Sequence, residues 1–234
     1  MRVGLIEVGH WHAGIYIKTL KEKGLEIVAM SDRDINSAKD KGSKLRCKYY
    51  NDYRELIRKE KLDFVFSFGR HFEMAEIIET VLDKEISICT EKPITNKSKV
   101  MKKLASKALE RKLFTDVMLP LRFSPFILAM EEFKKREDIG EIIHCYFRNM
   151  AGPIQRYIDW GNSWMIEKEY ALGGSFMNEG PHYIDLFRYL TGEDVTSVYA
   201  DMNNSIYGRN IEDNFSCILE TGSRKRAVIE ICYG

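Results

Sequence analysis

The 234-residue sequence predicts an α/β chain: a doubly wound parallel sheet, then a smaller α+β domain with an open, largely antiparallel sheet. Three observations carry this. Short apolar runs alternate with amphipathic stretches as far as about residue 119. Those runs are almost wholly apolar instead of alternating. Beyond about residue 120 strand-like runs follow one another. Strands separated by helices pair in parallel, and a parallel sheet is covered on both faces, so its strands read as continuous apolar runs.

Each element follows in order. "RVGLIEV" is a strand, and 11–23 a helix that ends near Gly24. "LEIVAMS", "CKYY", "LDFVFSF", "EISICT" and "LFTDVML" supply five more strands, separated by helices over 35–44, 52–59, 71–84 and 97–111. These elements make a first domain over 1–119. In the second, 120–234, a helix over 124–136 leads through "REDIGE" into the strand "IIHCYFRNM". An aromatic, polar segment covers 151–171, and "GGSFMNEGPH" precedes a helix over 182–191. "VTSVYADM", "NFSCILET" and "RAVIEICYG" then read as successive strands, the last two joined by a hairpin turn, "TGSRK".

Composition bounds the function. Apolar residues make up 44% and charged residues 30%, the balance of a globular protein. The 36 basic and 35 acidic residues leave a net charge of +1, which gives no electrostatic case for nucleic acid or an anionic membrane. No apolar stretch approaches the roughly 20 residues of a membrane helix, and no signal peptide is evident, so a cytoplasmic protein is expected. Cys47, Cys89, Cys145, Cys217 and Cys232 form no Cys-x-x-Cys pair. Reduced, buried thiols and no metal site are expected.

The first strand-to-helix turn reads "IEVGHWHAG". A dinucleotide-binding turn is written G-x-G-x-x-G: backbone N–H groups at the helix start face the pyrophosphate, and absent Cβ atoms let it approach. Here Glu7, Gly9 and His12 occupy the three glycine places. Gly9 supplies the close approach. Glu7 strains a turn that needs positive φ, and repels a pyrophosphate if its carboxylate faces the site. His10 and His12 are available as added donors, and Trp11 stands between them. Asp32, about 20 residues beyond the glycine at the end of the second strand, suits the adenosine ribose hydroxyls; it equally suits a helix cap or turn. Arg33 beside it is suited to adenine or to a 2′-phosphate. Asp32 repels that phosphate, so NAD is expected, with NADP left open.

Three further stretches carry a resemblance. "GRHFEMAEIIETVLDKEISICTEKPIT" holds His71 at the start of the helix over 71–84 and Glu91-Lys92-Pro93 after the fifth strand. "LRFSPF" holds Arg122 and Pro125. "GGSFMNEGPHYIDLFRYLTGE" holds Asn178, Gly180, His182 and Asp185. In collinear order over almost the whole chain, these resemble the Gfo/Idh/MocA oxidoreductase family. The resemblance implies a Rossmann domain followed by a C-terminal α/β domain. It also implies NAD(P)-dependent hydride transfer to or from a carbinol carbon of a sugar, cyclitol or related polyol, and a homodimer or tetramer formed through the second sheet. Relatives of the family run on further, so the second domain reads as short.

By the same resemblance Lys92 hydrogen-bonds the reacting hydroxyl. Hydride leaves carbon as that hydroxyl loses its proton, so a cation or base on the oxygen lowers the barrier. His182 is the candidate general base, with Asp185 three residues on to orient it. Asn178 replaces the family's commoner aspartate: it holds a hydroxyl and takes no proton. Arg122 meets substrate or a phosphate, or pairs with an acid. His71 and Glu91 join Gly9, His10, Trp11, Asp32 and Arg33 as candidate cofactor contacts. Tyr157, Trp160 and Trp164 suit a sugar-stacking wall, though core or dimer packing is the favoured reading. The alternative function is a non-catalytic nucleotide- or sugar-binding regulator on the same fold, motivated by Glu7, His12 and Asn178.

Overall fold

The computed structural model describes residues 1–136 and 140–234; part of the "REDIGE" connection thus lies outside the described residues. The chain divides into two compact units. One is Met1–Met118 with Tyr157–Trp164, and the other is Leu119–Arg156 with Met165–Gly234.

The first unit is a six-stranded parallel sheet of order β3-β2-β1-β4-β5-β6. Its strands are β1 (Arg2–Ile6), β2 (Glu26–Ser31), β3 (Lys48–Tyr50), β4 (Phe64–Ser67), β5 (Ser87–Thr90) and β6 (Thr115–Val117). The helices between them are α1 (Ala13–Glu22), α2 (Ile35–Leu45), α3 (Tyr53–Lys59), α4 (Met74–Asp83) and α5 (Ser98–Glu110). Local chemistry sets several boundaries. Asp34 caps α2 by accepting the Asn36 N–H, and Asp52 caps α3 by accepting the Arg54 N–H. Alternate strand residues serve two cores. Val65 and Ile88 pack with Leu56, Ile77, Val81 and Leu104 of α3–α5. Val3, Leu5 and Met30 pack with Ala13, Leu20 and Ala38 of α1 and α2. Burial on both faces is why these strands read as apolar throughout. The fourth helix begins at Met74, so His71 lies in the turn before it and not on its first turn.

The second unit holds a 3₁₀ turn (Pro120–Phe123), α6 (Pro125–Lys134) and β7 (His144–Met150). Within the short α7 (Gln155–Asp159) begins the segment Tyr157–Trp164 that groups with the first unit. After α8 (Lys168–Ala171) come α9 (Ser175–Thr191), β8 (Val195–Asn203), β9 (Asn214–Thr221) and β10 (Arg226–Cys232). The sheet order is β7-β10-β9-β8. β8, β9 and β10 are antiparallel neighbours as expected, whereas β7 pairs with β10 in parallel. One face of β7, β9 and β10 packs on α9 through Cys145, Phe215, Cys217, Ile229, Leu186 and Phe187. The opposite face leaves Tyr146, Met150, Tyr199 and Ile218 exposed.

One expectation needs correction. The helix expected over 182–191 starts at Ser175, directly after Gly173-Gly174, so Gly180 and Pro181 lie inside it and His182 is a mid-helix residue. Glycine and proline break helices by local propensity, but packing decides here. A Cβ on Gly180 would meet the Phe176 ring at 2.4 Å, and one on Gly174 would meet the Glu212 carbonyl oxygen at 1.9 Å. Those glycines allow close approach, not a turn.

Candidate functional site

The candidate residues fall into two groups, one in each unit. In the first, the chain leaves β1 at Glu7, whose φ of 58° puts a glutamate in the left-handed region. This is the strained position that the sequence foreshadowed. Two residues on, the Gly9 N–H donates to the Asp32 carboxylate, and a Cβ on Gly9 would meet Asp32 Oδ2 at 2.7 Å. Only glycine fits there. The other Asp32 oxygen accepts the Asp34 N–H at 2.8 Å. Asp32 thus braces the loop from the tip of β2, while Asp34 is the α2 cap. Burial raises the Asp32 carboxyl, and the two backbone N–H groups oppose that rise.

Arg33 turns away from Asp32 to two other acids. Its Nε donates to Glu7 Oε2 at 2.8 Å, and a terminal nitrogen donates to Glu73 before α4. The Glu7 carboxylate therefore faces a guanidinium. Burial still pushes it up to about 7, against the pull of Arg33. Glu7, Gly9, His10, Asp32, Arg33 and Ser37 line one groove in this unit, with Phe68 and Arg70.

A second cluster adjoins the loop. His12 Nδ1 lies 2.7 Å from Glu91 Oε1, and His10 Nδ1 accepts the His12 N–H at 3.1 Å. Burial alone would raise the Glu91 carboxyl; the His12 contact and the charge of Lys92 overcome it and hold it at about 2. Burial drives the His10 imidazole well below its ordinary value. Ligand-capable atoms of His10, His12 and Glu91 lie within 4.8 Å of one another, and hydrogen bonds inside the group already occupy one atom of each. Glu91 and Lys92 follow β5 at its carboxyl end, and both are buried, Lys92 to 4% exposure. Ligands bind at that edge in open parallel sheets.

In the segment 157–164, sequence reasoning named Tyr157, Trp160 and Trp164 but missed Asn162 and the pairing with Trp11. Trp11 packs against Tyr157, Trp160 and Trp164 with ring centroids 5.4, 6.0 and 6.3 Å apart. His71, 2% exposed, meets the Trp164 ring edge at 5.0 Å. Asn162 donates to the Gly9 carbonyl at 3.5 Å and accepts Trp164 Nε1–H at 3.1 Å, and it lines the groove with Trp160. The density of aromatics was the available signal; their partner, Trp11, stands some 150 residues away.

In the second unit α9 carries Asn178, His182 and Asp185. Arg122 grips the Asp185 carboxylate through Nε at 2.7 Å and a terminal nitrogen, the acid pair foreseen as one of its two roles. It also lies over the Tyr189 ring. Asn178 is buried and donates to Glu179, which also accepts from Asn149 of β7 at 3.3 Å. His182 is half-buried.

Residues 1–117 match the family described as oxidoreductase family, NAD-binding Rossmann fold, and residues 127–234 match the GFO/IDH/MocA C-terminal domain. The pig trans-1,2-dihydrobenzene-1,2-diol dehydrogenase is 20% identical over 207 residues, 87% of this chain and 59% of that protein. The Bacillus subtilis (strain 168) scyllo-inositol 2-dehydrogenase (NAD(+)) is 25% identical over 202 residues, 84% of this chain and 54% of that protein. The chain therefore spans between half and three fifths of the length of these relatives. The WlbA dehydrogenase from Bordetella pertussis, solved with NADH and UDP-GlcNAcA, shares the fold with a TM-score of 0.89 at 19% identity, over 99% of this chain and 70% of that one. The chain belongs to the Gfo/Idh/MocA family, and its first unit is that family's NAD-binding Rossmann domain.

Proposed function

We propose that this protein is an NAD-dependent dehydrogenase acting at a carbinol carbon of a cyclitol, sugar or related polyol. The observation that carries the reading is the Gly9–Asp32 contact. A carboxylate braced by two backbone N–H groups stands at the end of β2, beside a loop position where any Cβ is excluded. Such a loop admits a pyrophosphate, and Asp32 accepts ribose hydroxyls from the same groove. Bound NAD supplies the hydride acceptor at its nicotinamide. Gly9, His10, Trp11 and Asp32 hold it, with His71 and Glu91 toward the β5 edge.

Lys92 and His182 are the proposed catalytic pair. Lys92 holds the reacting hydroxyl oxygen and stabilises the charge that develops there; His182 takes the proton. Glu91 is held ionised beside Lys92, with the lysine charge among its causes. Asn178 and the Arg122–Asp185 pair position the remaining hydroxyls. The inositol and diol dehydrogenases among the relatives point to the polyol class. Self-association through the exposed sheet face with Tyr146, Met150, Tyr199 and Ile218 belongs to the same reading. So does a reducing, cytoplasmic setting, which suits five free cysteines. No helix among the described residues is long and apolar enough to cross a membrane.

The test is NADH formation, followed by absorbance, across a panel of cyclitols and sugars. We expect turnover with at least one polyol and a loss of about 100-fold or more in kcat for Lys92→Met and His182→Ala. Tight NADH binding with no turnover on any member would favour a non-catalytic sensor on the same fold.

A further inference from the structure

We propose that Glu7 and Glu73 form a clamp on Arg33 that sets cofactor choice: it withholds the guanidinium from the 2′-phosphate of NADP(H) and so selects NAD(H). The inference rests on the dinucleotide reading of the groove and adds how that groove discriminates.

An arginine directly after the acid at the end of β2 is the group best shaped to grip a phosphate, with a planar fork of donors and a permanent charge. In this chain that fork is already taken. Nε donates to Glu7 Oε2 at 2.8 Å, and a terminal nitrogen donates to Glu73. The two acids come from different elements, the β1 exit and the turn before α4, so the guanidinium is gripped from two sides. Glu73 is fixed in turn, since its Oε1 also accepts the Arg70 N–H at 3.0 Å.

Glu7 is the telling residue. Its backbone sits at a φ of 58°, where glycine would rest without strain. A glutamate there keeps the strain and contributes a carboxylate, and that carboxylate goes to Arg33. With Asp32 and Asp34 on the same groove wall, the ribose end of the groove is acidic. A phosphomonoester, which carries close to two negative charges near neutral pH, would meet Asp32 and Asp34 while Arg33 stays engaged. The ribose hydroxyls of NAD ask nothing of Arg33 and hydrogen-bond to Asp32.

The test is fluorescence titration of NADH and of NADPH into the whole protein at about pH 8, where Glu7 is ionised. Wild type, Glu73→Gln, the Glu7→Gln/Glu73→Gln double variant and that double variant with Arg33→Ala are compared. Wild type is expected to favour NADH by about 30-fold or more. The ratio of NADPH to NADH affinity should rise about tenfold in the double variant, and adding Arg33→Ala should abolish that rise. Glu73→Gln alone leaves the β1–α1 loop intact and should show part of the rise. Equal binding of the two nucleotides by wild type, or an unchanged ratio in the double variant, would overturn the clamp and leave the NAD reading standing. Failure of the wild-type protein to bind either nucleotide would overturn both.

Discussion

The loop from Glu7 to His12 and the start of α9 both hold glycines in a motif stretch, and they use them in opposite ways. In the loop, Gly9 leaves room beside a carboxylate at the rim of a groove. At α9, Gly174 at the N-cap lets the helix start against the Glu212 carbonyl, and Gly180 leaves room for the Phe176 ring of the same helix. The missing Cβ of Gly9 makes room for a side-chain carboxylate at a groove rim, whereas those of Gly174 and Gly180 make room for a backbone carbonyl and an aromatic ring. A glycine in a motif is thus read from what its missing Cβ would strike.

The largest expected effect breaks the comparison on the α9 side. Gly174→Ala forces a methyl group against a backbone carbonyl that has no side-chain freedom, and should cost at least about 3 kcal/mol, read as a lowered urea midpoint. Gly14 lies inside α1, and a methyl group added there would meet nothing within 4 Å among the described residues. Gly14→Ala should be neutral or stabilise by up to about 1 kcal/mol. Equal effects for the two substitutions would mean that close approach is not what these glycines provide.

Next comes the charge pair of α9. Arg122→Met leaves the Asp185 carboxylate, only 10% exposed in its side chain, without its bidentate partner. Because Arg122 itself is 39% exposed, solvent screens part of the pair. A loss of about 1–2 kcal/mol is expected in denaturant unfolding, below the cost of breaking a fully buried pair.

The smallest effects come from two acids of the first unit and have opposite signs. Glu7 is raised from 4.5 to about 7 by burial, so the folded chain holds its proton after the unfolded chain has released it. Its contribution is full below about pH 4.5 and is lost as pH rises to about 7. Glu91 is lowered to about 2, so its contribution is present above about pH 4.5 and is lost as pH falls toward 2. Stability–pH profiles of Glu7→Gln and Glu91→Gln against wild type should differ in those two separate windows, by on the order of 1–3 kcal/mol each. Differences of the same sign in one window would show that His12 and Lys92 do not set Glu91 apart.

The two regions also differed in how far the sequence disclosed them. The Rossmann half was legible because its signals are local: apolar strands alternating with amphipathic helices, and Asp32 at a strand end. Glu7 in a glycine place already implied positive φ; that its carboxylate would meet Arg33, 26 residues on, did not follow from spacing. His71 was placed one turn late for a similar reason, since the turn before α4 carries helix-like residues. The α9 start was hidden because Gly180-Pro181 breaks a helix in isolation, and the packing of α9 on β7, β9 and β10 that outweighs it is tertiary. The placement of Tyr157 to Trp164 was hidden altogether, because these aromatic residues find Trp11 through tertiary contact.

The central claim is that the Gly9–Asp32 groove holds a nicotinamide dinucleotide. Calorimetric titration of NADH into wild type and into Gly9→Val, with circular dichroism to show that both are folded, tests it most directly. The account predicts saturable binding by wild type in the micromolar range and a loss of about 100-fold or more in the variant, whose side chain fills the place of closest approach. A silent wild type, or undiminished binding by the variant, would contradict it.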